Sequence, residues 1–302
     1  MEAIGELKKA FFRIYGQLER YIVPVGKFFL SIITFIIINS NVGYMDKLKN
    51  PIIVVAISLL LAFLPLNAII VVAALVTLLH MYTLALPVAA IVGFVFLIMF
   101  VLYFRFTPKE AIAVLLTPLF FVLKLPYVVV LLAGFVGGLF SFIPVACGTV
   151  VYYMIRFVGD NETLLKSEAE ADMLSSFKTV IDKVLNNNAM IAMVITVAII
   201  VVIANVIKRF SFDYSWQVAL VVSAIVGLIT LVIVSTVLDA EISIIGAVIS
   251  MLASAVIVFF IQLFIHDVDY SSAEYVQFED DEYFYYVKAI PKFSAEEKRR
   301  RR

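Results

Sequence analysis

Lys124 is the most unusual polar residue of the sequence, because it stands between two apolar runs in VLKLPY. A cation within a membrane segment indicates function by default, since its burial is costly. With Thr117, one or two helical turns earlier, Lys124 could line a polar pocket. The alternative is a hairpin tip from which Lys124 reaches the surface, and the turn-like Leu125–Pro126 favours it.

A second charged cluster lies in RFTPKEA, where Arg105, Lys109 and Glu110 come close together in sequence. Thr107, Pro108 and Glu110 match the start of a helix, with Thr as N-cap, Pro first and the acid third. Arg105 and Lys109 could also bind an anion or a lipid head group. The candidate substrate-binding residues are therefore Lys124, Thr117, Arg105 and Lys109.

Motifs of enzymes and cofactor sites are missing from the sequence. It contains no HExxH, no Walker A or Rossmann motif and no Ser/His/Asp grouping in a plausible setting. The single cysteine, Cys147, excludes a disulfide framework or zinc knuckle within one chain. We expect no enzyme activity, no metal and no cofactor. His80 is expected to be a hydrogen-bonded residue near a span end, and other polar side chains to bond between helices: Asn67, Asn205 and Gln262.

Composition places this chain in a membrane. Apolar residues make up 64% of its 302 residues and charged residues only 15%, against roughly 25% charged residues in soluble domains. Lys plus Arg and Asp plus Glu are 23 each, so the formal net charge is zero. A soluble enzyme, a disordered chain and a nucleic-acid binder are excluded, and the expected surroundings are a lipid bilayer.

The apolar segments predict an all-α, multi-pass transmembrane bundle of about eight to ten segments. A full span needs roughly 20 residues, so 51–64, 110–123 and 144–157 are short and are expected to be tilted, broken or re-entrant. The predicted segments are 22–39, 51–64, 66–82, 87–104, 110–123, 127–143, 144–157, 189–207, 216–238 and 243–266.

Charge distribution divides the chain into five parts and orients it in a bacterial plasma membrane. The basic N-terminus and the basic tail at 299–302 predict that both termini are cytoplasmic, although Lys47 and Lys49 then fall outside and fit poorly. The first part, 1–21, is an amphipathic cytoplasmic helix, or else a plain helical lead-in to the first span. A membrane domain with Pro-broken segments follows over 22–157, and an extracytoplasmic helical loop of net charge −3 over 158–188. The last two parts are three spans over 189–266 and a cytoplasmic tail over 267–302.

Prolines divide the central region into two blocks, 51–105 and 108–157, each with three apolar runs and each ending in aromatic residues and Arg. An odd number of crossings would invert the second block relative to the first, as in secondary transporters. Broken helices at bilayer depth leave backbone groups that only protein or a wet cavity can satisfy. The alternative is that the prolines simply mark helix ends, because the intervals differ between the blocks.

Small residues recur at helical spacing in two places. Gly134 and Gly138 form a GxxxG motif, and Gly246, Ser250 and Ser254 repeat the four-residue interval. Such stripes allow helices to approach closely. They predict packing within the chain, with a homodimer interface as the alternative.

The tail predicts a small cytoplasmic β-hairpin. Aromatic and β-branched residues fill 275–278 and 283–290, with an acidic turn over 279–282 between them. A two-stranded hairpin alone is marginally stable, so it should dock on the membrane domain or on a cytoplasmic protein. The candidate partner-binding residues are Tyr275, Phe278, Asp280, Asp281, Tyr283 and Tyr285.

The segments VQFEDDEYFYYVKAIPK and FTPKEAIAVLLTPLFFVLKLPY resemble a family of polytopic membrane proteins of anaerobic Gram-positive bacteria that are often labelled ABC transporter permease. The proline-broken segments favour a permease-like transport protein with its pathway through 51–157. Lys124, Arg105 and Lys109 suggest an anionic or lipid-phosphate substrate. The alternative is a non-transporting scaffold subunit of a secretion, envelope or division complex. A polar cavity reaching mid-membrane near Pro65 and Pro126 would favour transport, and its absence a scaffold.

Overall fold

The computed structural model describes the backbone of residues 2–171, 181, 186–265 and 274–289, and the side chains of 15–167, 181, 186–265 and 276–287. Within these residues the chain forms twelve α-helices and one β-hairpin. The helices are α1 Glu2–Val42, α2 Asp46–Lys49, α3 Pro51–Ala62, α4 Leu66–Leu84, α5 Leu86–Phe106, α6 Ala111–Val122, α7 Tyr127–Val136, α8 Phe142–Asp160, α9 Glu162–Ala171, α10 Asn188–Ile207, α11 Ser215–Val237 and α12 Ile244–Ile265; the strands are β1 Glu274–Glu279 and β2 Phe284–Ala289.

Seven of the described helices are long and apolar enough to cross a bilayer, namely α1 from Tyr15, α4, α5, α8 with the turn before it, α10, α11 and α12. Their outward surfaces carry exposed Ile, Leu, Val and Phe side chains. Such a surface is unfavourable in water and matches hydrocarbon. The prediction of a multi-pass, all-α membrane protein with a small β-hairpin is confirmed.

The helix ends form two faces of the bundle. At the first, called the Arg105 face, α4 and α6 begin and α5 ends. The amide of Asn67 donates there to the carbonyl of Pro108 at 3.0 Å. The Ser141 hydroxyl, ahead of α8, donates to the Glu110 carboxylate at 2.7 Å. These contacts bring the start of α8 to the same face.

The opposite end, called the Tyr44 face, gathers the ends of α1, α4 and α8. The Tyr44 hydroxyl donates to the carbonyl of Val158 at 3.4 Å. His80 accepts from the amide of Met45 at 3.1 Å, and its other ring nitrogen lies 2.8 Å from the Asn39 side-chain oxygen. His80 is therefore a hydrogen-bonded residue near a span end, as predicted.

The first helix runs without interruption from Glu2 through Pro24 to Val42. The structure thus joins the predicted segments 1–21 and 22–39, which is the arrangement of a helical lead-in to the first span. That residues 1–21 lie on a membrane surface stays a prediction.

The prediction of a short segment over 144–157 is wrong, because α8 has 19 residues from Phe142 to Asp160. The break falls earlier, at Gly137 and Gly138, whose extended backbone ends α7. Pro144 lies in the first turn of α8, where its missing N–H costs no helical hydrogen bond.

The two proline-bounded blocks pack differently. In the first, α3 packs mainly on α1 and α4 packs on α5; in the second, α6 packs mainly on α8, and α7 packs on α10 outside the block. This difference does not favour the inverted repeat, which stays a prediction.

Two apolar cores build the bundle. One is formed largely by α1, α3, α4, α5 and α8, and the other by α7, α10, α11 and α12. Helices α6 and α8 contribute to both, and they run in the same direction. Phe121 of α6 stacks on Tyr152 of α8 with ring centroids 4.6 Å apart, and Thr117 lies against Gly148. This pair joins the two halves of the bundle.

The loop and the tail are described in part. Helix α9 covers the beginning of the predicted loop helix, whereas residues 172–180 and 182–185 lie outside the described residues. The strands β1 and β2 pair antiparallel, with Phe278 opposite Tyr285 and Val276 opposite Val287. The predicted hairpin is confirmed, and the terminal basic residues 299–302 lie outside the described part.

We predict that Gly148→Ala loosens the contact between α6 and α8. A Cβ at this position would lie 2.6 Å from the Thr117 Cβ and 2.8 Å from the Val114 carbonyl oxygen. Overpacking of this kind costs about 1–3 kcal/mol, so the thermal unfolding midpoint in detergent should fall. Gly26→Ala is the matched control, since a Cβ there has no atom within 4 Å. Equal midpoints for the two variants would contradict the close approach.

Candidate functional site: a re-entrant helical hairpin

Helices α6 and α7 form a hairpin that begins and ends at the Arg105 face. They have 12 and 10 residues, which correspond to lengths of about 18 Å and 15 Å against the roughly 30 Å of a hydrocarbon core. Neither helix crosses a bilayer alone. The predicted short segment 110–123 is therefore one arm of a re-entrant hairpin.

Lys124 forms the tip of this hairpin. The backbone amide of Leu125 donates to the carbonyl of Phe120 at 2.8 Å, and the backbone amide of Lys124 donates to the carbonyl of Phe121 at 3.0 Å. This is the Schellman arrangement that ends helices, usually with Gly in the left-handed position. Here Lys124 occupies it with φ of +60°, a conformation that costs an L-residue about 1–2 kcal/mol. Its side chain is exposed.

The hairpin-tip interpretation of Lys124 agrees with the structure, and the shared pocket with Thr117 does not. Thr117 is fully buried, and its hydroxyl donates to the carbonyl of Ala113 in its own helix at 2.6 Å. Because Phe121 stacks on Tyr152, the tip lies beside the part of α8 near Arg156, close to the Tyr44 face. Lys124 can therefore reach that surface.

The foot of the hairpin is held by Lys208, the residue that follows α10. Its ammonium donates to the carbonyls of Gly134, Phe135 and Gly137 at 2.9, 2.7 and 3.0 Å. The buried Asn205 amide donates to Gly134 and Gly137 as well, at 3.2 and 2.9 Å. These carbonyls end α7 and have no helical partner, and a cation is favourable at a helix C-terminus.

Burial lowers the pKa of Lys208 to about 8. The neighbouring charge of Arg209 lowers it further, and the Glu110 carboxylate acts in the opposite direction. The foot therefore combines a half-buried cation, an acid and the negative end of a short helix.

The predicted helix start at Thr107 is wrong, because α6 begins at Ala111. Glu110 precedes it and makes no side-chain capping bond; its carboxylate instead accepts from Ser141, which ties α6 to the start of α8. Arg105 and Lys109 are exposed near this foot. The structure places them at the opposite end of α6 from Lys124, so the four predicted substrate residues do not form one pocket.

A cavity of about 80 Å³, called the central cavity, lies between α1, α4, α5, α6 and α8. Pro118 of α6 and Cys147 of α8 line it, and most of the other lining side chains are aliphatic or aromatic. Its three hydroxyl groups all donate within the protein: Thr34 to Leu30, Thr77 to Ala73, and Tyr103 to Asn67 and Pro108. This cavity is apolar and does not touch Pro65 or Pro126.

The predicted small-residue stripes have different positions. Gly134 lies against α10, where an added Cβ would be 2.7 Å from the Cβ of Ala204. Gly138 lies beyond the end of α7, where an added Cβ would meet no atom within 4 Å. The two glycines do not form one helical stripe. In α12, Ser250 and Ser254 are buried but Gly246 is exposed.

Lys208 is a residue of this candidate site that the sequence does not single out, since it follows a long apolar segment beside another basic residue. Lys27 of α1 has a similar role in the structure, because its ammonium donates to the carbonyl of Leu64, just past α3, at 2.9 Å. In the sequence, a Lys close to an apolar span, in a chain that also has short apolar segments, indicates a possible donor to the carbonyls at a helix end. Asn67 and Asn205 bond between elements as predicted, whereas Gln262 has no hydrogen-bond partner among the described residues.

The tail hairpin presents aromatic side chains around an acidic turn. The Asp280 carboxylate accepts from the hydroxyl of Tyr285 and from the amides of Glu282 and Tyr283 at 2.7 to 3.0 Å. These bonds, that of Tyr285 first, lower the pKa of Asp280. Asp280 thus shapes the turn, while Phe278, Tyr283 and Asp281 remain exposed; the side chain of Tyr275 lies outside the described residues.

Comparisons with protein-family models, curated proteins and solved structures find no match for this chain.

We predict that Lys208→Met loosens the hairpin foot. The Phe135 carbonyl loses its side-chain donor, and an unsatisfied buried acceptor costs about 1–3 kcal/mol. The unfolding midpoint at pH 7 should fall, whereas Arg209→Met, which removes the exposed neighbouring cation, should leave it nearly unchanged. Equal effects of the two changes would argue against a stabilising role of the hydrogen bonds from Lys208 to the end of α7.

The pKa of Lys208 predicts a pH dependence of stability. The folded-state value of about 8 lies below the ordinary 10.5, so between these values the unfolded chain binds more protons than the folded protein. The free energy of unfolding should therefore rise as pH increases from about 8 towards 10.5. Denaturation of wild type and Lys208→Met across this range should show the rise in the wild type and its reduction in the variant.

Proposed function

We propose that the protein is a permease-like transport protein of the bacterial plasma membrane, with an anionic or lipid-phosphate substrate and no catalytic activity. The observation that carries this proposal is the position of α6. Lys109 precedes it at one face, Lys124 follows it near the other, and the central cavity lies along the helix between them. An anion therefore meets one cationic residue near each face, at either end of α6.

The hairpin itself supports transport. Re-entrant helices survive at membrane depth only when they are enclosed by protein or border a cavity, and transporters use them for substrate passage. The exposed Lys124 in a left-handed turn that favours Gly is a local strain of the kind found at functional sites.

The orientation that we propose follows from the charges of the two faces. Arg105, Lys109, Lys208 and Arg209 gather near the foot of the hairpin, where basic residues favour the cytoplasm. Helix α1 starts and α12 ends on the same side by helix order, so both termini are cytoplasmic. The acidic segment 158–188 then lies outside.

Reconstituted protein tests this function directly. We expect wild-type protein in liposomes to move either inorganic phosphate or a fluorescent anionic phospholipid across the membrane. Lys124→Gln and Lys109→Gln should each slow transport by about tenfold, because hydrogen bonds to charged groups contribute about 1.5–3 kcal/mol. Lys166→Gln, which changes an exposed lysine of α9, is the control.

Wild-type protein that moves neither substrate would contradict the proposal. The second candidate, a membrane scaffold subunit, would then be favoured. Its supporting observations are the apolar lining of the central cavity and the exposed tail hairpin.

The tail hairpin supports a cytoplasmic protein partner in either function. Val276, Phe278, Tyr285 and Val287 share one face by strand register, and each is exposed. An apolar surface of this kind on a two-stranded hairpin is unfavourable in water. We propose that this face binds the partner, beside the acidic turn.

Cross-linking in cells tests the tail. We expect Phe278→Ser to remove the proteins that cross-link to the tail, because it removes apolar contact area from the proposed face. Phe284→Ser, which changes a more exposed aromatic on the opposite face, should retain them. The same loss in both variants would contradict face-specific binding.

A further inference from the structure

The central cavity is suited to hydrocarbon rather than to water or a polar solute. Its threonine and tyrosine hydroxyls already donate to protein acceptors. A buried water needs two to four polar partners, and an unpaired polar group in apolar surroundings is costly. An apolar ligand leaves these hydrogen bonds intact on entering, and it contacts a lining that is almost wholly apolar.

The lining of the cavity extends along the bundle for about two helical turns. Its lining on α8 runs from Cys147 to Ile155 and that on α4 from Ile70 to Thr77, which at 1.5 Å per residue correspond to about 12 Å and 10 Å along the bundle. A volume of about 80 Å³ is smaller than the ~150 Å³ of an apolar cavity that binds benzene. It fits part of one hydrocarbon chain better than a compact ring system.

Cations lie beyond both ends of the lining. At the Arg105 face the last lining residue of α5 is Tyr103, whose hydroxyl donates to Pro108, the residue before Lys109. At the other end, Ile155 is followed directly by Arg156, which is exposed and pairs with Asp160 at 3.5 Å. A chain in the cavity therefore has a cation near whichever face holds its head group.

We propose that the central cavity binds one hydrocarbon chain of an anionic membrane lipid. Binding stands on the cavity alone. That this lipid is the transported substrate rests on the proposed transport function, and narrows its substrate class to amphiphiles with an anionic head group.

Photo-cross-linking in vesicles tests this binding. Wild-type protein is placed in phosphatidylcholine vesicles that contain phosphatidylglycerol with a diazirine near the end of one chain. We expect cross-links on the peptides that contain Pro118 and Cys147, and their loss when non-photoactive phosphatidylglycerol is added in excess. Ala74→Phe, which fills the cavity from α4, should lose these cross-links. Val101→Phe, on the exposed side of α5, should keep them.

The outcomes separate the two proposals. Wild-type cross-links confined to outward residues such as Val101, or not displaced by excess lipid, would overturn chain binding even if Ala74→Phe fails to fold. Equal cross-linking by a phosphatidylcholine with the same diazirine chain would overturn the requirement for an anionic head group. Specific cross-links in a protein that transports nothing would uphold the binding site and reject the transport function. Phosphate transport without specific cross-links would uphold the transport function and reject the binding site.

Discussion

The fold depends on satisfying backbone carbonyls where short helices end. Carbonyls of the last helical turn have no partner within the helix, and each one left buried and unpaired costs free energy. At the end of α7 the donors are the Lys208 ammonium and the Asn205 amide. Just past α3 the donor is the Lys27 ammonium. In both cases a long neighbouring helix supplies the donor, so the short helices are stable only as parts of the bundle.

This dependence explains how the re-entrant hairpin is built. Its foot is tied twice, by Lys208 to the end of α7 and by Glu110 and Ser141 to the start of α8. Its arms are packed on opposite sides, α6 on α8 and α7 on α10. At the tip, Lys124 is left-handed with an exposed side chain, whereas the flanking Phe121 stacks on Tyr152 and Tyr127 is buried. The hairpin is therefore held at its foot by hydrogen bonds and near its tip by aromatic packing.

The central cavity and the hairpin belong to the same arrangement. Helix α6 lines the cavity through Pro118 and its neighbours, and it contributes to both apolar cores. A shift of α6 would therefore alter the cavity and the packing of α7 together. The tail hairpin, by contrast, exposes both of its faces among the described residues, so a partner could bind it without entering the membrane.

The sequence alone determined the membrane class, the approximate number of apolar segments, the tail hairpin and the position of the turn at Lys124, because these depend on local hydropathy, strand-forming residues and the Leu125–Pro126 pair. It misplaced the break near Pro144 and the start of α6, since Pro is compatible with a first helical turn and the extended Gly137–Gly138 is not a strong signal by itself. Only the tertiary structure decided that Lys208 meets α7, across 71 to 74 residues of sequence, and that five helices line an apolar cavity. Hydropathy reports which residues avoid water, whereas the pairing of a distant donor with a free carbonyl depends on which helices become neighbours.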